Sequence, residues 1–279
     1  MKKISKILSI LLMCTLVLTA CGTNESDSVG GTLTAKDGKD NSLSYILDKK
    51  TFVLGLDASF PPMGYTDDDM NIVGFDIDVA KEVCSRMGVE LKLQSINWVA
   101  KEQELNTKNI DCIWNGFSYT EEKNEALTLS QPYMSNRQVA VVLATSEVNT
   151  LEDLAGKTVV IQNGSTASDA MAANEKLTKS LKELVKVDDN VKAMMDLKIG
   201  GSDCVVMDEV VARYYTSKEE GAYKILEESL SDEQYVIGFR KGDNALKDEV
   251  EKYLKEMKED GTLAQISTTW FGEDITTIK

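Results

Sequence analysis

Three short segments concentrate the residues that could do chemistry, and each joins an apolar run to a helical one. Asn115-Gly116-Phe117-Ser118-Tyr119-Thr120 follows the run 110–114, and Gln162-Asn163-Gly164-Ser165-Thr166-Ala167 follows the run 158–161. Met207-Asp208-Glu209 closes a third run. Glycine lets a ligand approach the backbone, and free amides at a helix start, with the Ser165 and Thr166 hydroxyls, suit an anion such as a carboxylate. Asp208 offers a carboxylate to a cation, and an N-cap at a helix head would account for it as well. Two cations stand nearby, Lys123 and Arg137; Arg137 reads as holding the loop ahead of a crossover and is left outside the site. The chain has no histidine, which excludes Ser-His-Asp and Cys-His nucleophiles and removes the commonest zinc ligand. Asp67-Asp68-Asp69-Met70-Asn71 superficially resembles a calcium loop. However, Ile72 occupies the sixth position, where the turn needs glycine, and no glutamate stands at the twelfth. No metal site and no cofactor are expected.

The elements that must position these residues alternate between strand and helix. A short buried strand at Phe52-Val53-Leu54-Gly55-Leu56 precedes a helix over Phe75 to Met87, whose apolar face is Phe75, Val79, Ala80, Val83, Cys84 and Met87. Asp76 and Asp78 fall in its first turn, where carboxylates suit the helix dipole, and they read as helix-start residues. Strands at 89–93 and 110–114 bracket a helix at 101–107. A second series follows the apolar run 139–143: a short capped helix ending at Gly156, a strand at 158–161, a helix from Ser165 and a strand at 185–187. A helix at 191–199, with Val191, Met194, Met195 and Ile199 as its apolar face, leads to a strand at 203–207. Two entries look like counterparts, Ile110-Asp111-Cys112-Ile113 and Ser202-Asp203-Cys204-Val205. Such alternation implies parallel sheets flanked by helices, an α/β fold.

The segment Gly74-Phe75-Asp76-Ile77-Asp78-Val79-Ala80-Lys81-Glu82-Val83-Cys84-Ser85-Arg86-Met87 resembles the signature of the family 3 extracellular solute-binding proteins, the receptors of amino-acid ABC importers. The resemblance runs from about Leu43 to Gly272. It implies a type II periplasmic-binding-protein fold: two α/β lobes joined by two hinge crossovers, near 141–146 and 233–239, with an amino acid held between them. The implied divisions are a first lobe at 43–143, a second at 144–234, and a return to the first at 235–279. An amino acid brings a carboxylate and an ammonium that must both be met. In relatives the positions of Asn115, Gly116 and Ser118 supply backbone and hydroxyl contacts, with Phe117 beside them. Gly164 and Thr166 meet the carboxylate, Gln162 touches the side chain, and Asp208 pairs with the ammonium. Phe60 covers the side chain, Asp57 lies near the site floor, and Trp98 joins the side-chain pocket; core packing would account for Phe60 and Trp98 too. Where relatives carry a carboxylate-binding arginine this chain has Lys123. Lysine keeps the charge and loses the bidentate fork. It binds carboxylate as a point charge, or the ligand lacks the usual carboxylate geometry, or the lysine is simply a solvated helix residue.

The amino terminus is a targeting segment. Lys2, Lys3 and Lys6 precede an apolar stretch at 7–18, too short to span a bilayer comfortably. Leu18-Thr19-Ala20-Cys21 then resembles a lipobox, giving a signal peptide at 1–20 and Cys21 as a lipidated first residue; an ordinary secretory signal ending at Ala20 is the alternative. Residues 21–42, poor in apolar side chains, read as a flexible tether. The protein is therefore expected to be a monomer on the outer face of the bacterial membrane, serving an ABC permease and its ATPase. The formal net charge of −15 leaves no basic surplus for nucleic acid. Cys84, Cys112 and Cys204 read as small buried thiols. Two other readings stay open: a prephenate- or arogenate-type dehydratase on the same fold, and a sensory ligand-binding module.

Overall fold

The computed structural model describes residues 38–279. The signal segment, Cys21 and most of the tether lie outside these residues. The Asp40 carboxylate accepts from Ser42 N at 2.9 Å and Ala245 N at 2.6 Å.

In chain order the first elements are α1 (Ser42–Lys49), β1 (Thr51–Leu56), β2 (Ser59–Phe60), β3 (Gly64–Thr66), β4 (Ile72–Val73), α2 (Phe75–Met87) and β5 (Glu90–Ser95). A 3-10 turn at Trp98–Ala100 leads into α3 (Lys101–Asn106), β6 (Cys112–Ser118), α4 (Glu121–Ala126) and β7 (Thr128–Leu129). Next come β8 (Met134–Leu143), β9 (Thr158–Gln162), α5 (Thr166–Ala173), α6 (Glu175–Ser180), β10 (Glu183–Val187), α7 (Asn190–Lys198) and β11 (Cys204–Asp208). The chain ends with α8 (Glu209–Lys218), β12 (Tyr223–Phe239), α9 (Asn244–Glu259) and α10 (Thr262–Phe271). β2, β3 and β4 form a small antiparallel sheet that the sequence reading did not anticipate, since these strands are only two or three residues long.

The main sheet has the order β10-β9-β11-β8-β12-β6-β1-β5. Each half repeats one pattern. β5-β1-β6 is a parallel triple closed by antiparallel β12. Parallel β10-β9-β11 is closed by antiparallel β8. The two counterpart entries are the third strands of these triples. Asp111 Oδ2 accepts from Val53 N at 2.7 Å and Asp203 Oδ2 from Thr158 N at 2.8 Å. Each aspartate satisfies an N–H at the start of the central strand of its own triple, which explains the repeated motif.

β8 and β12 pair with each other and pass through both halves. Gln138 to Val141 of β8 pair with β11, while Tyr235 and Val236 of β12 pair with β6. The handover therefore falls at 134–138 and 231–235, earlier in β8 than the 141–146 stretch named from sequence. Arg137 ties this crossing to α8 through a two-point ion pair, Nε to Glu209 Oε2 at 2.5 Å and Nη2 to Oε1 at 2.8 Å.

The apolar face of α2 is buried as its spacing predicts. That of α7 differs. Its buried residues are Asn190, Ala193, Met194 and Leu197, whereas Met195 is 62% and Ile199 83% exposed. Small Ala193 lets the helix lie close to the sheet, so the buried stripe is rotated from the one hydrophobicity alone selects. Cys84, Cys112 and Cys204 are free and buried.

Candidate ligand-binding site

The three polar segments converge where β6, β9 and β11 end beside the crossing strands. They enclose a narrow cavity of about 20 Å³ lined by Phe60, Trp98, Gly116, Phe117, Ser118, Lys123, Gln162, Gly164, Ser165, Thr166 and Asp208. Every one of these was singled out from sequence. Asp57 and Asn115, also singled out, stand behind the wall. Asn115 Oδ1 accepts from Asp57 N at 3.1 Å, and Asp57 Oδ2 accepts from Gln162 Nε2 at 2.7 Å. Burial pushes the Asp57 carboxyl up, opposed by that Gln162 bond. Larger hollows exist outside, one along Asn136, Arg137 and Glu209 and one near Tyr214 and Trp270, but both are open grooves at the crossing.

The halves meet across the cavity through polar contacts. Besides Gln162–Asp57, Lys101 Nζ donates to Gly164 O at 3.1 Å, and Thr166 Oγ1 donates to Ser118 Oγ at 3.4 Å. Gly164 has φ +71°, and a Cβ there would stand 3.3 Å from Val99. The left-handed conformation is what favours glycine, and an added carbon would displace Val99 by only a few tenths of an ångström.

One wall is aromatic. Trp98 and Phe117 meet edge-to-face at 6.1 Å between centroids. Lys123 Nζ sits 4.6 Å from the Phe117 ring centroid and donates to Ser118 O at 2.8 Å. Its amine is lowered to about 8, chiefly by burial and then by the charge of Lys101. A solvated helix lysine would not be seated in this way.

Asp208 occupies the N-cap position of α8 but makes no side-chain cap. Its Oδ1 instead accepts from Asn136 Nδ2 at 2.7 Å and Tyr235 OH at 2.8 Å. Burial raises this carboxyl, and the neighbouring charge of Glu233 raises it further. Asn136, Tyr235 and Glu233 were missed from sequence. They lie in β8 and β12, far from any glycine-marked junction, and only the alternation of β12 could have pointed one face of it at the site.

Asp76 stands in the first turn of α2, as its position implies, and the structure adds that it is a fully buried carboxyl. Its Oδ2 accepts from Gly116 N at 2.8 Å and Tyr133 OH at 3.0 Å. The signature helix therefore reaches the cavity wall and fixes Gly116, whose φ is +56° and whose Cα faces Phe60 too closely for a side chain. Burial pushes the Asp76 carboxyl up to about 7, against the lowering effect of the Gly116 and Tyr133 bonds. The folded state thus holds a proton that the unfolded chain releases near the ordinary carboxylate range. The stability this contributes is complete below about pH 3.8 and is lost as pH rises to about 7. Asp76→Asn is expected to shrink the fall in melting temperature between pH 5 and pH 8. An unchanged slope would place the titration elsewhere.

Two parallel-sheet halves, joined by two crossing strands and closed over a polar cavity, define a type II periplasmic-binding-protein architecture. The chain belongs to the bacterial extracellular solute-binding proteins, family 3, whose family model matches residues 52–273. It is 27% identical over 236 residues to the L-cystine-binding protein TcyJ of Escherichia coli (strain K12), covering 84% of this chain and 87% of that one. Among solved structures, an ABC uptake transporter substrate-binding protein from Streptococcus pneumoniae with bound histidine matches at a TM-score of 0.82 and 35% identity, over 85% of this chain and 98% of that one. Tv2483 bound to L-arginine also gives a TM-score of 0.82, at 31% identity, over 86% and 98% of the two chains. These relatives are binding proteins.

Proposed function

We propose that this protein is an extracytoplasmic receptor that closes its two lobes on one amino acid and hands it to an ABC permease powered by its ATPase. The observation that carries this is the pairing of opposite charges in one enclosed space: buried Asp208 and half-buried Lys123 line the same cavity between the halves. Asp208 and Ser118 hold the ammonium. Lys123 and the backbone amides at Gly164 to Thr166 meet the carboxylate, and Phe60, Trp98 and Phe117 surround the side chain. As it stands the cavity has about 20 Å³, room for roughly one water, so the lobes part to admit the ligand. The lobes turn about 134–138 and 231–235, where the crossing strands leave one half for the other. Cys21 carries the lipid that keeps the receptor, as a monomer, at the membrane.

Mass spectrometry of ligand retained through native purification, followed by calorimetry against the proteinogenic amino acids and cystine, tests the reading. A flat response to all of them overturns it. Turnover of prephenate-like acids would instead favour the dehydratase.

Lys123→Met is expected to weaken amino-acid binding about tenfold or more, because a buried carboxylate loses its cation. Unchanged affinity in titration calorimetry would return Lys123 to a packing role.

A further inference from the structure

We propose that Glu233 is a positioning residue that makes the site selective for a charged amine, by holding the Ser118 hydroxyl proton away from the cavity. This rests on the amino-acid-binding reading above and deepens it.

Glu233 lies on β12 at the crossing, opposite Asn136 of β8. Three donors converge on its Oε2: Ser118 Oγ at 2.7 Å, Gln138 Nε2 at 3.1 Å and Asn136 Nδ2 at 3.2 Å. With two amide N–H groups already pointing at it, this oxygen acts as an acceptor towards the Ser118 hydroxyl as well. The single proton of Ser118 is therefore committed to Glu233, at 2.7 Å.

The remaining protons close a circuit. Gln138 Nε2 has a second hydrogen and gives it to Thr166 Oγ1 at 3.3 Å, while Thr166 Oγ1 donates to Ser118 Oγ at 3.4 Å. β6, β12, β8 and α5 are linked in one ring, spanning both halves and both crossing strands. Asn136 Nδ2 bonds Glu233 and also Asp208 Oδ1, which locks the two carboxylates together.

The consequence for the cavity is chemical. Ser118, with its proton spent, can offer the ligand only a lone pair. Asp208 on the same wall offers only acceptors. A ligand carboxylate or hydroxyl-free carbon placed there leaves buried acceptors unmatched, whereas an ammonium brings three donors. Glu233 does not line the cavity, so it acts through Ser118 and through the shared Asn136 amide.

The test uses the full chain and titration calorimetry with four amino acids and their des-amino partners. The pairs are L-histidine with imidazole-4-propionate, L-arginine with 5-guanidinopentanoate, L-glutamine with glutaramate, and L-cystine with 3,3'-dithiodipropionate. Wild type prefers the amine-bearing member of its best pair. Glu233→Gln keeps the shape but can donate to Ser118, which turns the serine proton toward the cavity. The preference ratio is expected to fall about tenfold or more, mainly through weaker binding of the amine. Ser118→Ala, which leaves the crossing strands intact, is expected to lower the ratio similarly. The double variant is expected to fall little below either single one, because both remove one interaction.

An unchanged ratio in folded Glu233→Gln, or fully additive losses in the double variant, overturns the proposal. If Glu233→Gln does not fold, an unchanged ratio in Ser118→Ala overturns it alone. Wild type with a flat response to all proteinogenic amino acids and cystine overturns the reading on which the proposal rests, and this shows before any variant is made; a best ligand outside the four is tested against its own des-amino acid.

Discussion

Asp208→Ala is expected to remove most of the ligand affinity while leaving the protein folded. The carboxylate is 5% exposed, lines the cavity, and is held by Asn136 and Tyr235 rather than by the helix it precedes. Truncating it leaves the ligand ammonium buried without its partner. Loss of one member of such a pair costs about 2–5 kcal/mol, or roughly 30-fold to several thousand-fold in Kd. Stability should move the other way or hardly at all, because Asp208 is itself a buried carboxyl raised by burial and by Glu233. Calorimetry of the best wild-type ligand gives the first quantity and thermal unfolding the second. Wild-type affinity in the variant would move the ammonium subsite elsewhere.

Gly74→Ala is expected to be the most damaging single-methyl change for the fold. Gly74 has φ +146° and ψ +169°, a region open in practice to glycine alone. A Cβ there would stand 2.2 Å from Met63 O and 2.8 Å from Gly64 Cα, both backbone atoms that cannot swing aside. Backbone strain of about 1–3 kcal/mol and overpacking of similar size add to about 2–6 kcal/mol, against a typical total of 5–15. The close approach has a purpose. It allows Phe75 N and Asp76 N to donate to Pro62 O and Met63 O, at 2.9 and 3.0 Å, and so seats Asp76 beneath Gly116. Gly88→Ala is the control: φ is +74° there, but no atom lies within 4 Å of the added carbon. Its cost is the left-handed backbone alone, about 1–2 kcal/mol. Equal shifts of the urea midpoint in the two variants would mean that crowding at Gly74 is absent.

Much of the site was legible because it sits at strand ends. Glycine, serine and threonine after an apolar run mark a place where backbone amides are free, and Gly116, Gly164 and Thr166 carry that mark. Asp208 was legible for the same reason, although its side chain turns away from the cap its position invites. The crossing strands carry no such mark. Asn136, Gln138, Glu233 and Tyr235 read as ordinary alternating residues of long strands, and their meeting depends on the β8–β12 register that pairs Asn136 with Glu233. The exposed face of α7 shows the same limit from the other side. Val191, Met195 and Ile199 have the right spacing for a core stripe, but the sheet takes the Asn190, Ala193, Met194 and Leu197 face instead.

What the sequence determined by itself is what local physics and one motif can encode. It set the strand–helix alternation, the amphipathic α2, the junctions that line the cavity, the absence of histidine chemistry and the family. What only the tertiary structure decided is where charge is buried and which protons point where. Asp76 is the clearest case. At a helix start it looks like a residue facing solvent, yet Gly74 brings the helix so close that its carboxyl is fully buried against Gly116 N and Tyr133 OH. A side chain's burial and hydrogen-bond partners are set by segments distant in the chain, here by 40 and 57 residues, and no local pattern carries that information.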